Sequence, residues 1–483
     1  MTGLPGPAPA RGPQDRSWWP TGGLAVAVVV GVVLLLLAAL TGRLQAAAVA
    51  LPLLLTSCWL WLRRPRAGGT VRLIAQAETT QHSRVGATVA WTPADGADAL
   101  RLRVSAPGHR SVDAVVAAGT TAAGTPATGT PAADRAIGVS IRSQRTGRRP
   151  IFTVDHGESY GQQLFGAPGG TEGPMAITVL PRPELLREVP LPYRLQGLTG
   201  PHDSRRAGDG NDLRDINLFT PGDRLRRIDW KVTARRNSGG LGGPPGPGPR
   251  NAITDLYVRR SYATADAAVM LVLDSRDEVG PDLTTWNDSS TIAEDDPTSL
   301  DHARTAALTL ARRYLQAGDR VGLEDLGRLR RPMPPAGGMR QLQRLTLRIA
   351  LAEPEGEPRA RRRAPRLPSG ALIIICSTFL DDETARLAQL WHTSGHRVIA
   401  VDVLPEPELR NAPSRLLTAY RIIAMDRHDR LVELSRSGIE VIAWQQAADH
   451  RLPGRMQRQP PVGLSGRPMP VALATLSRQR VRR

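Results

Sequence analysis

Cysteine is nearly absent from this 483-residue chain: there are two, Cys58 in an apolar run and Cys376 in a predicted buried strand. Two thiols so placed exclude a disulfide framework and are expected to be buried and reduced. Aromatic residues are also scarce, at 4%. The net charge is +18, yet no zinc pattern, recognition fold or set of stacking aromatics goes with it, so no specific nucleic-acid binding is expected. Phosphate-loop chemistry is missing too. Gly208-Asp209-Gly210 is a turn without the following Gly, Lys and helix, and no Walker lysine motif occurs, so any ATP must come from a partner. His202, Asp203 and Ser204 adjoin one another, but side chains adjacent in sequence rarely converge. No nucleophile, base and oxyanion donors can be nominated together, which argues against an enzyme.

What the chain does have begins with two apolar runs, 22–40 and 44–62, separated by Thr41, Gly42 and Arg43. Each is about the length needed to cross a bilayer, and the second follows too closely for the first to be a signal peptide. A two-helix transmembrane hairpin is expected over 21–63, after a tail over 1–20. Arg11 and Arg16 precede it and Arg63, Arg64, Arg66 and Arg72 follow, against Arg43 alone in the tight loop. Both termini are therefore expected to be cytoplasmic, in a cell inner or plasma membrane. Trp18, Trp19, Trp59 and Trp61 fall at the ends meeting that interface. Much of the charge lies in a Pro-rich tail, with eight Arg and no acid from Arg451 to Arg483, and in five Arg over 359–366. The 447–483 tail is expected to be disordered and to lie on an anionic membrane surface.

Residues 70–195 read as a β-rich domain, a small sandwich with short strands at 70–77, 86–91, 99–105 and 176–180. An Ala, Gly, Thr and Pro tract over 117–134 is expected to be a disordered insertion. Residues 265–446 alternate apolar strands (267–274, 320–324, 371–376, 397–403, 440–444) with helical segments (300–317, 339–351, 382–394, within 413–437). That alternation predicts a parallel, doubly wound α/β sheet. Ligands of such sheets bind beyond the carboxyl ends of the strands, here the loops after Asp274 and Cys376.

Between the two domains, over 196–262, lies the most specific segment. From Asp203 to Arg236 it holds six acidic and nine basic residues around few apolar ones, with a turn at Pro221-Gly222-Asp223. Asp223, Arg224, Arg227, Asp229 and Arg235 are placed around Ile228 and Trp230 in a way that suggests a fixed network of Arg–Asp pairs on an aromatic platform. A Gly/Pro insertion over 237–251 follows, before a return strand at 252–259. Gly208, Gly210, Leu213, Arg214, Phe219, Pro221, Gly222, Asp223, Arg227, Ile228, Asp229, Trp230, Ala234 and Arg235 give this segment a dense resemblance to the domain of unknown function 58 family. Asp212-Leu213 and Phe219 stand where that family has Glu-Phe and Tyr. The resemblance covers roughly residues 20–450 and implies a membrane anchor followed by a von Willebrand factor A-like domain.

A domain of that type holds Mg²⁺ with DxSxS after its first strand and an Asp after a later one. Here the first loop reads Asp274-Ser275-Arg276-Asp277-Glu278, so Arg276 brings a positive charge to the cation's place, and Thr378 stands where an Asp is expected. The site is degenerate, and no metal is expected. A metal-dependent ligand-binding module using Asp274, Ser275 and Ser377, with Asp277, Glu278 or Asp381 rebuilding the site, is the rival reading. The favoured one is an interaction or scaffold protein. The resemblance implies a MoxR-type AAA+ ATPase as partner in a chaperone-like system acting on a client protein. Its surface is expected at Gly210, Arg214, Pro221, Gly222, Asp223, Arg224, Arg227, Asp229, Trp230 and Arg235, either as a docking site or as a clamp between domains.

Overall fold

In the computed structural model the two apolar runs are helices, α1 (Gly22–Thr41) and α2 (Leu44–Leu62). Residues described are 18–64, 68–75, 84–94, 96–118, 135–167, 169–195, 200–238, 255–287, 292–293, 296–355, 363–410, 412–444 and 469–479. The expected insertions over 117–134 and 237–251 lie almost wholly outside them. At 1.5 Å per residue each helix is about 30 Å long, and both are long and apolar enough to cross a membrane. Gly42, in the left-handed region at φ 66°, ends α1 and lets the chain reverse. The helices approach closely where a side chain on Gly31 would stand 2.8 Å from Leu54, and Ala38, Ala50 and Ser57 are buried nearby. At the end of α2, Arg63 stacks 4.1 Å over Trp59 and Arg64 4.9 Å over Trp61.

The chain divides into two units, one of residues up to Val179 with 293–295, the other of the remainder. The first continues with antiparallel strands: β1 (Trp19–Pro20), β2 (Thr70–Ala75), β3 (Arg84–Thr92), β4 (Ala99–Ser105), β5 (Val112–Ala117), β6 (Arg135–Arg142), β7 (Gly147–Pro150), β8 (Thr153–Tyr160), β9 (Phe165–Gly166), β10 (Gly170–Glu172) and β11 (Ala176–Val179). They form a sheet β1-β9-β8-β4-β5, with β10 on β8, a sheet β2-β3-β6, and the pair β11-β7. Strand β4 shows why: Leu100 and Leu102 point inward while Arg101 and Arg103 point out, the period of a half-buried strand. Val71, Val89 and Trp91 of one sheet meet Leu100, Leu102 and Val154 of the other in a shared core. Glu158 closes that core's edge, accepting from Trp91 Nε1 at 2.6 Å and from the backbone of Gly69 and Ala94 at 2.6 and 3.2 Å.

The second unit contains a long hairpin, β12 (His202–Leu218) and β13 (Tyr257–Ala265), with α3 (Trp230–Ser238) between. It then alternates: β14 (Ala268–Leu273), α4 (Ser299–Gln316), β15 (Arg320–Asp325), β16 (Met333–Ala336), α5 (Met339–Ala350), β17 (Leu372–Ser377), α6 (Asp382–Thr393), β18 (Arg397–Asp402), α7 (Ser414–Arg436), β19 (Glu440–Ala443) and α8 (Met469–Gln479). The sheet runs β16-β15-β14-β17-β18-β19, parallel except for the β16 edge. Strand β14 is apolar throughout because both its faces are covered. Val269, Leu271 and Leu273 enter one core with α4, α5 and α8, and Met270 and Val272 enter the other with α6 and α7. A Thr298–Asp301 capping box starts α4.

Two expectations are corrected. The tail over 447–483 is not disordered throughout, since α8 buries Met469, Ala472 and Leu473 in the first core. Its run of small apolar residues supplies a face that the surrounding arginines obscure in the composition. The exit of the β-rich domain, 180–195, belongs instead with the α/β unit. Leu186 and Leu195 join its core, and the Tyr314 hydroxyl donates to the Pro190 carbonyl at 2.6 Å.

Replacing the carboxylate in Glu158→Ala strands three donors at the sandwich edge. It is expected to destabilise the β-rich unit by about 3 kcal/mol, read as an earlier urea midpoint, with Glu158→Gln retaining part of the loss.

Candidate functional site

Strand order places β14 and β17 side by side at the point where the connections diverge to the two halves of the sheet, the position where open α/β sheets bind ligands. Asp274 follows β14 and is buried. Ser377, the last residue of β17, donates to Asp274 Oδ2 at 2.6 Å, and Thr384 in the first turn of α6 donates to the same oxygen at 2.8 Å. The third partner is a cation from the chain itself. Arg276 forks onto Asp274 through Nε and Nη2, both at 2.9 Å. Its Nη1 reaches Asp381 at 2.6 Å, and its Nη2 reaches the same carboxylate at 3.0 Å and Thr384 Oγ1 at 2.7 Å.

These residues do not fit a divalent metal. The oxygens that would ligate one converge on the Arg276 guanidinium, which carries the compensating charge. Of the rival set, Asp274 and Ser377 come together, but the Ser275 hydroxyl turns to Asp325 instead. Glu278 accepts from Thr298 at 2.8 Å, and Thr378 contributes its carbonyl to Arg427 at 2.7 Å. Phe379 takes a left-handed φ of 53° in the following loop, where its carbonyl accepts from Arg430 at 2.8 Å. Thr384, Arg427 and Arg430 were not singled out in the sequence. Thr384 alone had a local signal, lying three residues after the helix-capping Asp381.

Burial works against charge on Asp274, but the Arg276 hydrogen bonds and charge, with Ser377 and Thr384, outweigh it and hold the carboxyl below its ordinary range. Burial also opposes the Arg276 charge, and Asp274 and Asp381 more than restore it. Asp277 has no such fork. Burial first, then the Asp274 charge, push its carboxyl up to about 7, with Arg276 opposing and Asp381 adding.

The second candidate is the segment between β12 and β13. Strand β12 needs 17 residues opposite the nine of β13 because register shifts interrupt the pairing at Asp203/Ala207, Gly208/Leu213 and Leu213/Asp215. Here β13 passes so close that a Cβ on Gly210 would stand 2.4 Å from the Tyr262 carbonyl. Arg224 pairs with Asp209, and Arg227 reaches Asp209 at 2.7 Å and the Gly208 carbonyl at 3.0 Å. Arg214 pairs with Asp215 at 2.9 Å. In the exposed turn Pro221-Gly222-Asp223, Asp223 accepts from Thr220 N at 2.9 Å and Arg260 Nη2 at 3.0 Å. The Arg260 hydrogen bond, then the Thr220 backbone, lower its carboxyl to about 2. Asp229 caps α3 through Val232 N at 3.0 Å.

Arg–Asp pairs are therefore present, but not among the residues expected to form them: Arg224 and Arg227 pair with Asp209, Asp223 with Arg260, and Arg235 with no described acid. Trp230 does not serve as their platform: it is 60% exposed, and Leu225 on the same arm is 68% exposed. Arg226, Lys231 and Arg235 are exposed and make no ion pair with any described residue.

Residues 252–413 match the family model described as Protein of unknown function DUF58, which supports that family for this part of the chain. The match takes in β13 through β18 and begins after the arm that carried the resemblance. No curated protein and no solved structure matches the chain.

Arg276→Ala leaves Asp274 buried and unpaired and is expected to cost about 3–5 kcal/mol of stability by chemical denaturation. The folded pKa of Asp277 lies above the free value of 3.8, so protonation favours the fold. Its stabilising contribution is complete below that value and is lost as pH rises to about 7. The melting-temperature advantage of Asp277→Asn over the native chain should therefore grow from about pH 4 to about pH 7 and stay constant above.

Proposed function

We propose that this chain is a membrane-anchored interaction or scaffold protein, with its soluble units in the cytoplasm, and that it docks a protein partner through the arm between β12 and β13. The observation that carries this reading is the exposed pair Trp230 and Leu225 on an arm held rigid from within. A large aromatic in water costs hydrophobic stability unless something covers it, and Trp and Arg are the side chains that most often anchor interfaces. Arg226, Lys231 and Arg235 around it favour an acidic partner surface.

The partner we propose is the MoxR-type AAA+ ATPase implied by the family resemblance, supplying work on a client protein. The strand order of the α/β sheet supports a von Willebrand factor A-like domain. With Arg276 at its crevice, that domain would act without a metal, which counts against the rival metal-dependent module. His202 turns to Asp319 at 2.9 Å and to neither of its sequence neighbours Asp203 and Ser204, so that run does not act as a triad on this reading. Two helices able to span a bilayer, with arginines at the outer ends and one in the loop, support an anchor with both termini cytoplasmic.

Arg227 and Trp230 have different roles on this reading. In membranes crosslinked and affinity-purified through a tag, Trp230→Ala is expected to cut capture of the ATPase by about tenfold or more while the arm keeps its protease resistance. Arg227→Ala should lose both, because it removes two bonds that hold the arm. Equal capture by the native chain and Trp230→Ala would remove the arm from the interface, and capture of no ATPase would overturn the chaperone-like reading.

A further inference from the structure

Helix α5 divides its faces sharply. Gln341, Leu345 and Ile349 are buried, while Arg340, Arg344 and Arg348 recur every four residues along an exposed side about 100° round the helix, where such spacing aligns side chains. Leu347, 54% exposed, lies between them, and Met339 is exposed at the start of the helix. The loop before β16 extends the pattern: Leu329 is 74% exposed and is followed by the exposed Arg330 and Arg331. Arg330, Arg331 and Arg348 line one shallow cleft with Arg328, Leu323, Met333, Glu324 and Asp325.

The acids nearby do not neutralise this face. Glu324 is buried, and Asp325, Glu353 and Glu355 pair with Arg328, Glu355 reaching Arg330 only at 4.0 Å. Arg331, Arg340, Arg344 and Arg348 make no ion pair with any described residue. The result, among the described residues, is four guanidinium groups without an acidic partner around exposed aliphatic side chains. A surface for single-stranded nucleic acid would offer aromatics for stacking, but residues 326–353 contain no Phe, Trp or Tyr. Cationic heads around aliphatic tips are the chemistry of a helix lying on a bilayer.

We propose that this face binds the anionic phospholipid headgroups of the membrane in which the chain is anchored, an inference that rests on the anchoring reading above. The guanidinium groups pair with lipid phosphates, whose oxygens match their fork. Leu347, Leu329 and Met339 enter the boundary between headgroups and acyl chains.

The test uses the full chain in lipid nanodiscs, in a Cys58→Ser background, with Gln343→Cys on the same exposed face carrying a polarity-sensitive fluorophore. In discs of phosphatidylcholine mixed with phosphatidylglycerol, the emission should shift to the blue and aqueous iodide quenching should fall several-fold relative to phosphatidylcholine alone. Combined Arg340→Gln, Arg344→Gln and Arg348→Gln, all at exposed positions, should abolish both changes without altering the circular dichroism. Identical spectra in the two kinds of disc would overturn the proposal. So would a shift obtained in phosphatidylcholine discs only on adding duplex DNA, which would assign the face to nucleic acid. Failure of the chain to co-elute with discs contradicts the anchoring and not the face, which then reads out on phosphatidylglycerol vesicles, with the same expected and contrary results.

Discussion

The Arg276 guanidinium between Asp274 and Asp381 is the contact on which the chemistry of the α/β unit depends. It joins the loop after β14 to the start of α6, while Ser377 ties the end of β17 to the same carboxylate. An isolated carboxylate buried at the head of a sheet would be costly to hold ionised. A fork of two hydrogen bonds from a cation in its own loop removes that cost and uses most of the donors and acceptors a ligand would need. The crevice at the switch point is thus filled from inside, and the surfaces left for other molecules lie at the periphery.

Those surfaces share a design in which internal pairing leaves an excess of one kind exposed. In the arm, Asp209, Asp215, Asp223 and Asp229 are engaged by arginines or by the backbone of α3, which leaves cations around Trp230. On α5, Glu353 and Glu355 are drawn to Arg328, which leaves a row of arginines around Leu347. Rigidity in both cases comes from ordinary packing and short-range bonds, so binding would require little ordering of side chains. The hairpin α1–α2 has the complementary character, with apolar residues facing outward along its length.

Much of the α/β unit was legible in the sequence because strands buried on both faces are unbroken apolar runs. Residues 371–376 were read as a strand and form β17 within a residue at each end. Strands β6 and β8 were not legible. Strand β6 has the small Ala136 and Gly138 facing out and β8 has the polar His156 and Glu158 facing in, so RAIGVSIR and TVDHGESY carry too little contrast to stand out. Edge strand β16 is MPPA, whose prolines read as loop and are tolerated because only one side is paired. Of the candidate site, the charge of Arg276 at the cation's place was readable from its position after Asp274. Its closure by Asp381 and Thr384 was not, since they come from a helix more than a hundred residues away. The ion pairs of the arm were foreshadowed by its alternating charges, but the exposure of Trp230 depends on tertiary packing.

The closed crevice is most directly tested by thermal melting of the full chain titrated with magnesium and with manganese. A site filled by Arg276 predicts the same melting temperature in about 10 mM of either ion as in chelator. A melting temperature that climbs with ion concentration, as mass action requires of a ligand bound only to the folded chain, would contradict it.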